Sequence, residues 1–221
     1  MTSPHCRSDR GGTPRRRAAP FCCRLVVMAK MPVAGRAKTR LARQVGVSQA
    51  IRFARQSAAA LLQRVAFDPR WQTTIAVSPD TGILSRTWPL GIRRIGQGGG
   101  DLGQRMQRLM RAMPPGPVII VGSDIPGIRR IHIAAAFRRL AGHDAVFGPA
   151  ADGGYWLVGL RRRPRVPRVF AHVRWSSAHA LRDTLANLRD RPVALIETLT
   201  DVDDADGFAS NAAGLGRRIP A

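Results

Sequence analysis

Pro117-Val118-Ile119-Ile120-Val121 runs directly into Gly122-Ser123-Asp124-Ile125-Pro126, an apolar run that ends abruptly on a glycine and an acid. The β-branched run Val118–Val121 suits a strand buried on both faces, as in a mostly parallel sheet covered by helices. The acid that follows then falls at the strand's carboxyl end, where open α/β sheets bind their ligands.

Upstream, Leu25-Val26-Val27-Met28 predicts the first strand. A loop over Lys30–Leu41 follows, then a helix from about Ser48 to Phe67 with Ser48 as its N-cap. Thr73–Val77 and Ile92–Ile95 predict two more strands, and Gly98-Gly99-Gly100 leads into a helix over Asp101–Met113. Downstream come a helix over Arg129–Leu140 and strands at Asp144–Phe147 and Tyr155–Leu160, which enclose Gly148–Gly154. A helix over Ser176–Arg189, a strand at Pro192–Ile196 and an acidic turn over Asp201–Asp206 complete the order, with no internal repeat. Alternating strands and helices predict a three-layer α/β/α domain with a mostly parallel sheet.

The 221 residues fit one such domain over 21–221. Residues 1–20 are rich in Arg, Pro, Gly and Ser and poor in large apolar side chains, so a disordered Arg-rich tail is expected there. Arg15-Arg16-Arg17 before an apolar stretch faintly resembles an export signal, but Arg24 and Lys30 interrupt that stretch. Without about 20 consecutive apolar residues, no membrane span is expected. Cys6, Cys22 and Cys23 have no metal-ligand spacing and predict no disulfide framework, which suits a reducing cytoplasm.

Basic residues number 36 against 14 acidic, a formal charge of +22. That excess would suit an anionic partner, yet it is spread along the whole chain and nearly all of it is Arg. A coding preference for Arg explains it better than a nucleic-acid surface, and no nucleic-acid reader motif is present. The only two lysines, Lys30 and Lys38, both lie in the loop after the first strand. A compact ammonium suits a tight phosphate cradle that a planar guanidinium does not.

That loop combines Pro32 and Gly35 with Lys30, Arg36, Lys38 and Arg40, so amides and cations could meet a phosphate together. It lacks Walker A spacing, and a solvated basic turn is the plain alternative. Gly99 and Asp101 admit either a base or ribose contact or a flexible turn with a capping Asp. Asp124 is the leading ligand for Mg²⁺ or Mn²⁺, against a helix-cap role. Asp152, Gly153, Gly154 and Tyr155 form an acidic, Gly-rich corner open to a turn, an acceptor site or a metal site. Asp203 is the lowest-ranked metal candidate. Ser176 or Ser177, after Trp175, would make a competent N-cap, and neither is assigned as a nucleophile. His172 and His179 are unremarkable by themselves.

Taken in order, these loops resemble a bacterial family of glycosyltransferase-A-like, nucleotide-diphospho-sugar transferase proteins, often labelled glycosyltransferase and linked in some members to arsenosugar biosynthesis. The residues carrying the resemblance are Met28–Leu41, Gln97–Met106, Gly122–Pro126, Gly148–Leu160, Trp175-Ser176 and Asp201–Asp203. The resemblance implies a nucleotide or nucleotide-sugar donor and a divalent cation, Mg²⁺ or Mn²⁺. It puts Lys30, Gly35, Lys38 and Arg40 near the donor and Asp124 near the metal. Many relatives of the fold carry Asp-x-Asp where this chain has Ser123-Asp124-Ile125. The expected activity is glycosyl transfer to a small-molecule acceptor, with Lys38 and Asp124 as the catalytic pair; nucleotidyl transfer is the alternative, because the same fold hosts both.

Overall fold

The computed structural model describes residues 22–31, 39–162 and 165–199. The tail 1–20, the loop positions Pro32, Gly35 and Lys38, and Asp203 with its acidic turn lie outside them. Of Arg40 only the backbone position is described.

Seven strands form one sheet in the order β3-β2-β1-β4-β6-β5-β7. They are β1 Arg24–Lys30, β2 Gln72–Ser78, β3 Arg93–Gly96, β4 Val118–Gly122, β5 Ala145–Pro149, β6 Tyr155–Leu160 and β7 Val193–Leu195. The pairs from β3 through β4 are parallel, as is β5 with β7. β6 runs antiparallel to both its neighbours. The helices are α1 Thr39–Val45, α2 Val47–Val65, α3 Leu102–Ala112, α4 Arg130–Gly142 and α5 Ala180–Ala186, with a 3₁₀ turn at Asp80–Gly82.

The continuous apolar runs are explained by burial on both faces. In β1, Leu25, Val27 and Ala29 join a core with Leu61, Leu62 and Val65 of α2 and Ile133 and Leu140 of α4. Val26 of β1 points the other way, to Met106, Leu109 and Met110 of α3. β4 divides likewise: Ile119 and Val121 face the first core, Val118 and Ile120 the second. Burying each such side chain stabilises the fold by about 1.5–3 kcal/mol relative to exposure.

Two expectations fail on local geometry. Ser48 is not the N-cap of α2; that position is Gly46, at φ 86° and ψ 153°, in the joint after α1. A left-handed φ there is natural for glycine, and without it α1 and α2 could not be joined so tightly. The second concerns the long helix expected over Ser176–Arg189, which shrinks to Ala180–Ala186 with His179 as N-cap. Ser176 sits at φ 57°, outside helical geometry. Ser177 is no N-cap either: its Oγ donates to Arg174 O at 2.7 Å and accepts from His179 N at 3.2 Å, a local alternative to helix.

The strand order reverses at β1. From there the chain moves outward to β2 and β3, then returns to lay β4 on the other side of β1. A crevice opens at the carboxyl ends of strands where order reverses in this way. Because β6 is antiparallel, its first residue, Tyr155, lies at that same edge.

Candidate active site

The described residues enclose a cleft of about 810 Å³ at this edge, bounded by Lys30 at the end of β1, Gln97 after β3, Asp124 after β4, Asp152 between β5 and β6, and Trp175 before α5. The strand connections therefore converge on one place.

Asp124 lies two residues beyond β4, and its carboxylate turns back toward Gly122, where an added β-carbon would stand 2.7 Å from Oδ1. The helix-cap alternative for Asp124 does not hold, because α4 starts only at Arg130 with Arg129 as N-cap. Arg64 of α2 fixes the loop from behind, donating from Nη2 to Pro126 O at 2.9 Å. Ile125 and Ile128 bury the loop's apolar side.

Gln97, which opens the Gln97–Met106 stretch but is given no role by the sequence, lines the cleft. It is 2% exposed, and its amide nitrogen donates to Ala76 O at 2.8 Å and Ala29 O at 3.3 Å. Two carbonyl partners fix which way the amide faces, so Oε1 is turned away from them. The signal available was a polar residue immediately after a strand, which the adjoining glycines overshadowed.

Asp101 is the N-cap of α3, and the capping alternative holds for it. Its Oδ1 accepts from Gln104 N at 2.7 Å, while Gln104 Oε1 accepts from Asp101 N at 3.1 Å. This capping box leaves Asp101 on the cleft wall. Gly99 does not line the cleft; its carbonyl accepts from both Nη atoms of Arg108 at 3.1 Å. Arg105, on the wall beside Asp101, donates from Nε to Gly100 O at 3.0 Å.

At the far end, Asp152 makes the expected turn: its Oδ1 accepts from Gly154 N at 2.9 Å. Gly153 does not line the cleft but joins two loops. It adopts φ 83°, its α-carbon lies close against the backbone of Ala178, and its carbonyl accepts from Leu181 N at 3.1 Å. Gly154, Tyr155, Trp175 and Ser176 all line the cleft. Tyr155 packs edge-on against Phe147 and Trp175, with ring centroids 5.2 and 6.4 Å away. Burial pushes its phenol well above the ordinary tyrosine value, and the Thr184 hydroxyl at 3.5 Å only partly opposes this. Tyr155 is therefore neutral at physiological pH.

The Trp175 loop is tied down by Arg174, whose Nε and Nη2 each reach the Asp183 carboxylate at 2.8 Å. The paired guanidinium holds Asp183 well below the usual carboxylate range. Gly103 of α3 makes room for the indole, since a β-carbon there would meet Trp175 Cζ2 at 2.6 Å.

Residues 61–177 match the family described as "Uncharacterized protein conserved in bacteria (DUF2064)". The chain belongs to the DUF2064 family. The matched span carries all the cleft residues named above except Lys30. No curated protein sequence matches the DUF2064 protein. Among solved structures, it is similar to a "putative nucleotide-diphospho-sugar transferase" from Desulfovibrio desulfuricans G20, with 25% identity and a TM-score of 0.75 over 88% of this chain and 97% of that one. It shares its fold with the 4-diphosphocytidyl-2C-methyl-D-erythritol synthase of Anaerococcus prevotii, at 12% identity and a TM-score of 0.59, covering 89% and 99% of the two chains. It also shares it with Mycobacterium tuberculosis Rv0371c in complex with manganese, at 16% identity and a TM-score of 0.51, covering 87% and 98%. The fold is thus that of the nucleotide-diphospho-sugar transferases, as the resemblance implied. No described helix of the DUF2064 protein is long and apolar enough to cross a membrane.

Among the described residues, no group of three His, Cys, Asp or Glu side chains gathers into a metal cage. One carboxylate, that of Asp124, is still compatible with Mg²⁺ or Mn²⁺ chemistry, because Mg²⁺ commonly takes one or two carboxylates and completes its shell with water and substrate phosphates. The hard oxygen donor of Asp124 fits that pattern.

Proposed function

We propose that the chain is a cytoplasmic glycosyltransferase that uses a nucleotide-sugar donor and a divalent metal. The observation that carries the reading is the meeting of Lys30 and Asp124, from adjacent strands β1 and β4, in one cleft at the strand-order reversal. A cation and a carboxylate on neighbouring strand ends suit a diphosphate and its counter-ion. The likeness to the Desulfovibrio structure supports the same class.

In this reading Lys30 and the loop cations Lys38 and Arg40 hold the donor diphosphate, with Pro32 and Gly35 shaping the loop. Asp124 holds the metal, with Asp203 as a further candidate. When bound, the metal neutralises charge developing on the leaving diphosphate. Gln97 presents its amide oxygen to a base donor, and the α3 entrance at Asp101 faces the nucleoside. Tyr155, Trp175 and Ser176, with the Asp152–Gly154 turn, border the acceptor. Arg64 and the Gly122 contact keep Asp124 in place, so most of the protein's contribution is positioning.

Nucleotidyl transfer is the second reading, favoured by the shared fold with the cytidylyl-type synthase of Anaerococcus prevotii. Product identity separates the two. Release of a nucleoside diphosphate from a nucleotide-sugar marks the first, and pyrophosphate from a nucleoside triphosphate marks the second.

A further inference from the structure

We propose that the aromatic end of the cleft binds the acceptor as an uncharged, hydroxylated ring laid against Trp175 and held by Asp152, and rejects phosphorylated or carboxylated acceptors. This deepens the glycosyltransferase reading and rests on it for the identity of the reaction, but its geometry stands separately.

The two ends of the cleft differ in charge: Lys30 stands with Asp124 on adjacent strands at one end, and Asp152 stands at the other. Lys30 ends β1, and Asp152 follows β5, three strands away in the order β1-β4-β6-β5. At about 4.8 Å per strand the two strand ends are about 14 Å apart. Lys30 closes the β1 end and Asp152 lies in the connection from β5 back to β6, so the two charges meet different parts of a ligand that fills the cleft.

At the far end the described charge is negative. Asp152 Oδ1 takes the Gly154 N–H, and no cation pairs with this carboxylate among the described residues. Arg174, the nearby guanidinium of the same loop cluster, is committed to Asp183. Arg105 is turned toward the carbonyls of Gly100 and Asp101. An ionised carboxylate only accepts hydrogen bonds, so it matches hydroxyl donors and repels a phosphate or a carboxylate.

The wall beside it is aromatic. Trp175 stands at 71° to Tyr155, is backed by Phe170, and fits against Gly103. Trp175 lines the cleft, and its indole N–H has no hydrogen-bond partner among the described residues. A Trp offers an apolar surface and one polar donor, which suits a ring with C–H groups on its face and hydroxyls at its edge. Ser176, the next residue, holds φ 57°, a backbone state that persists where surroundings enforce it, as in ligand clamps. Here the Arg174–Asp183 pair and the Ser177 hydroxyl enforce it.

The test is binding to the full chain, by titration calorimetry or saturation-transfer NMR. The probes are methyl hexopyranosides, the matching hexose 6-phosphates and hexuronates. Wild type should bind at least one methyl glycoside about tenfold more tightly than its charged counterparts. Trp175→Phe should keep that binding within about threefold, whereas Trp175→Ala should lose it about tenfold or more. Asp152→Lys should reverse the preference toward the 6-phosphates. Stronger wild-type binding of the 6-phosphates or hexuronates, unchanged binding in Trp175→Ala, or failure of every uncharged probe to bind would each overturn the proposal. Nucleoside diphosphate binding in the same samples separates the two ideas: unchanged in Trp175→Ala, it shows an intact fold and donor site. Its absence in wild type strikes the donor reading alone.

Discussion

Asp124 and Gly122 share a space that a side chain on the glycine would take: Oδ1 of the acid stands 2.7 Å from where the Gly122 β-carbon would be. The carboxylate is thus aimed by the absence of a methyl group two residues earlier. Gly122→Ala should displace it, lowering activity and metal-dependent nucleotide binding by about tenfold to a hundredfold, the usual effect of misplacing a reacting group by about an ångström. Calorimetric titration with Mg²⁺ and nucleotide, set beside Ser123→Ala as a control, checks this. Equal binding in wild type and Gly122→Ala would show that Asp124 does not need this position.

Arg64 acts on the same loop from the opposite side, through the Pro126 carbonyl. Arg64→Ala should weaken the metal-dependent response to nucleotide several-fold without removing any group from the cleft. Arg64→Lys should restore only part of it, because a point charge cannot reproduce the guanidinium fork. A purely structural role would lower the melting temperature and leave the metal dependence unchanged.

Gly103 admits the Trp175 indole and, at 2.9 Å from its virtual β-carbon, the Phe170 carbonyl. Gly103→Ala gains up to about 1 kcal/mol of helix propensity. Overpacking costs about 1–3 kcal/mol, so net destabilisation is expected. Denaturant melts should show a lower midpoint at unchanged slope, together with quenching or a spectral shift of Trp175 fluorescence.

Asp68 ties the end of α2 to Arg70, which donates to it at 2.8 and 2.7 Å, and lies 4.0 Å from Arg130 of α4. The Arg70 hydrogen bonds bring its carboxyl down from 3.8 to about 2. A depressed folded value means the stabilisation is complete above pH 3.8 and is lost as pH falls toward 2. Acid melts should therefore show wild type losing stability across that window. Asp68→Asn should start less stable at pH 7, by about 1–2 kcal/mol from weakened charged hydrogen bonds, and fall less steeply in acid.

Much of this architecture was legible because burial leaves a mark on composition. Val118–Val121 announced a strand covered on both faces, and Tyr155–Leu160 has the bounds expected of it. Periodicity does not encode direction, so the antiparallel course of β6, which brings Tyr155 to the cleft, was invisible. The helix expected over Ser176–Arg189 starts later because the serines that suit an N-cap instead hold a local turn, with the Ser177 hydroxyl on the Arg174 carbonyl. Gln97 and Arg64 are given no role by the sequence: their partners are carbonyls 21 to 68 residues away in sequence, and no local pattern records such a contact. Asp124 and Trp175, both named from the sequence, line the cleft: the first follows a recognisable strand, and the second belongs to the Trp175-Ser176 pair that carries the resemblance.

A nucleotide site built around Lys30 and Asp124 binds its ligand only in the folded chain, so ligand binding raises stability. The most direct measurement is the thermal stability of the full chain with nucleoside diphosphates, triphosphates and nucleotide-sugars, each with and without Mg²⁺ or Mn²⁺, in wild type, Lys30→Ala and Asp124→Ala. A ligand that binds the native state at a hundredfold over its dissociation constant stabilises it by about 2.7 kcal/mol. Wild type should show such a metal-dependent shift with one nucleotide class, reduced in Lys30→Ala and no longer metal-dependent in Asp124→Ala. The absence of any shift in wild type, or a shift of the same size and metal dependence in Asp124→Ala, would contradict such a site.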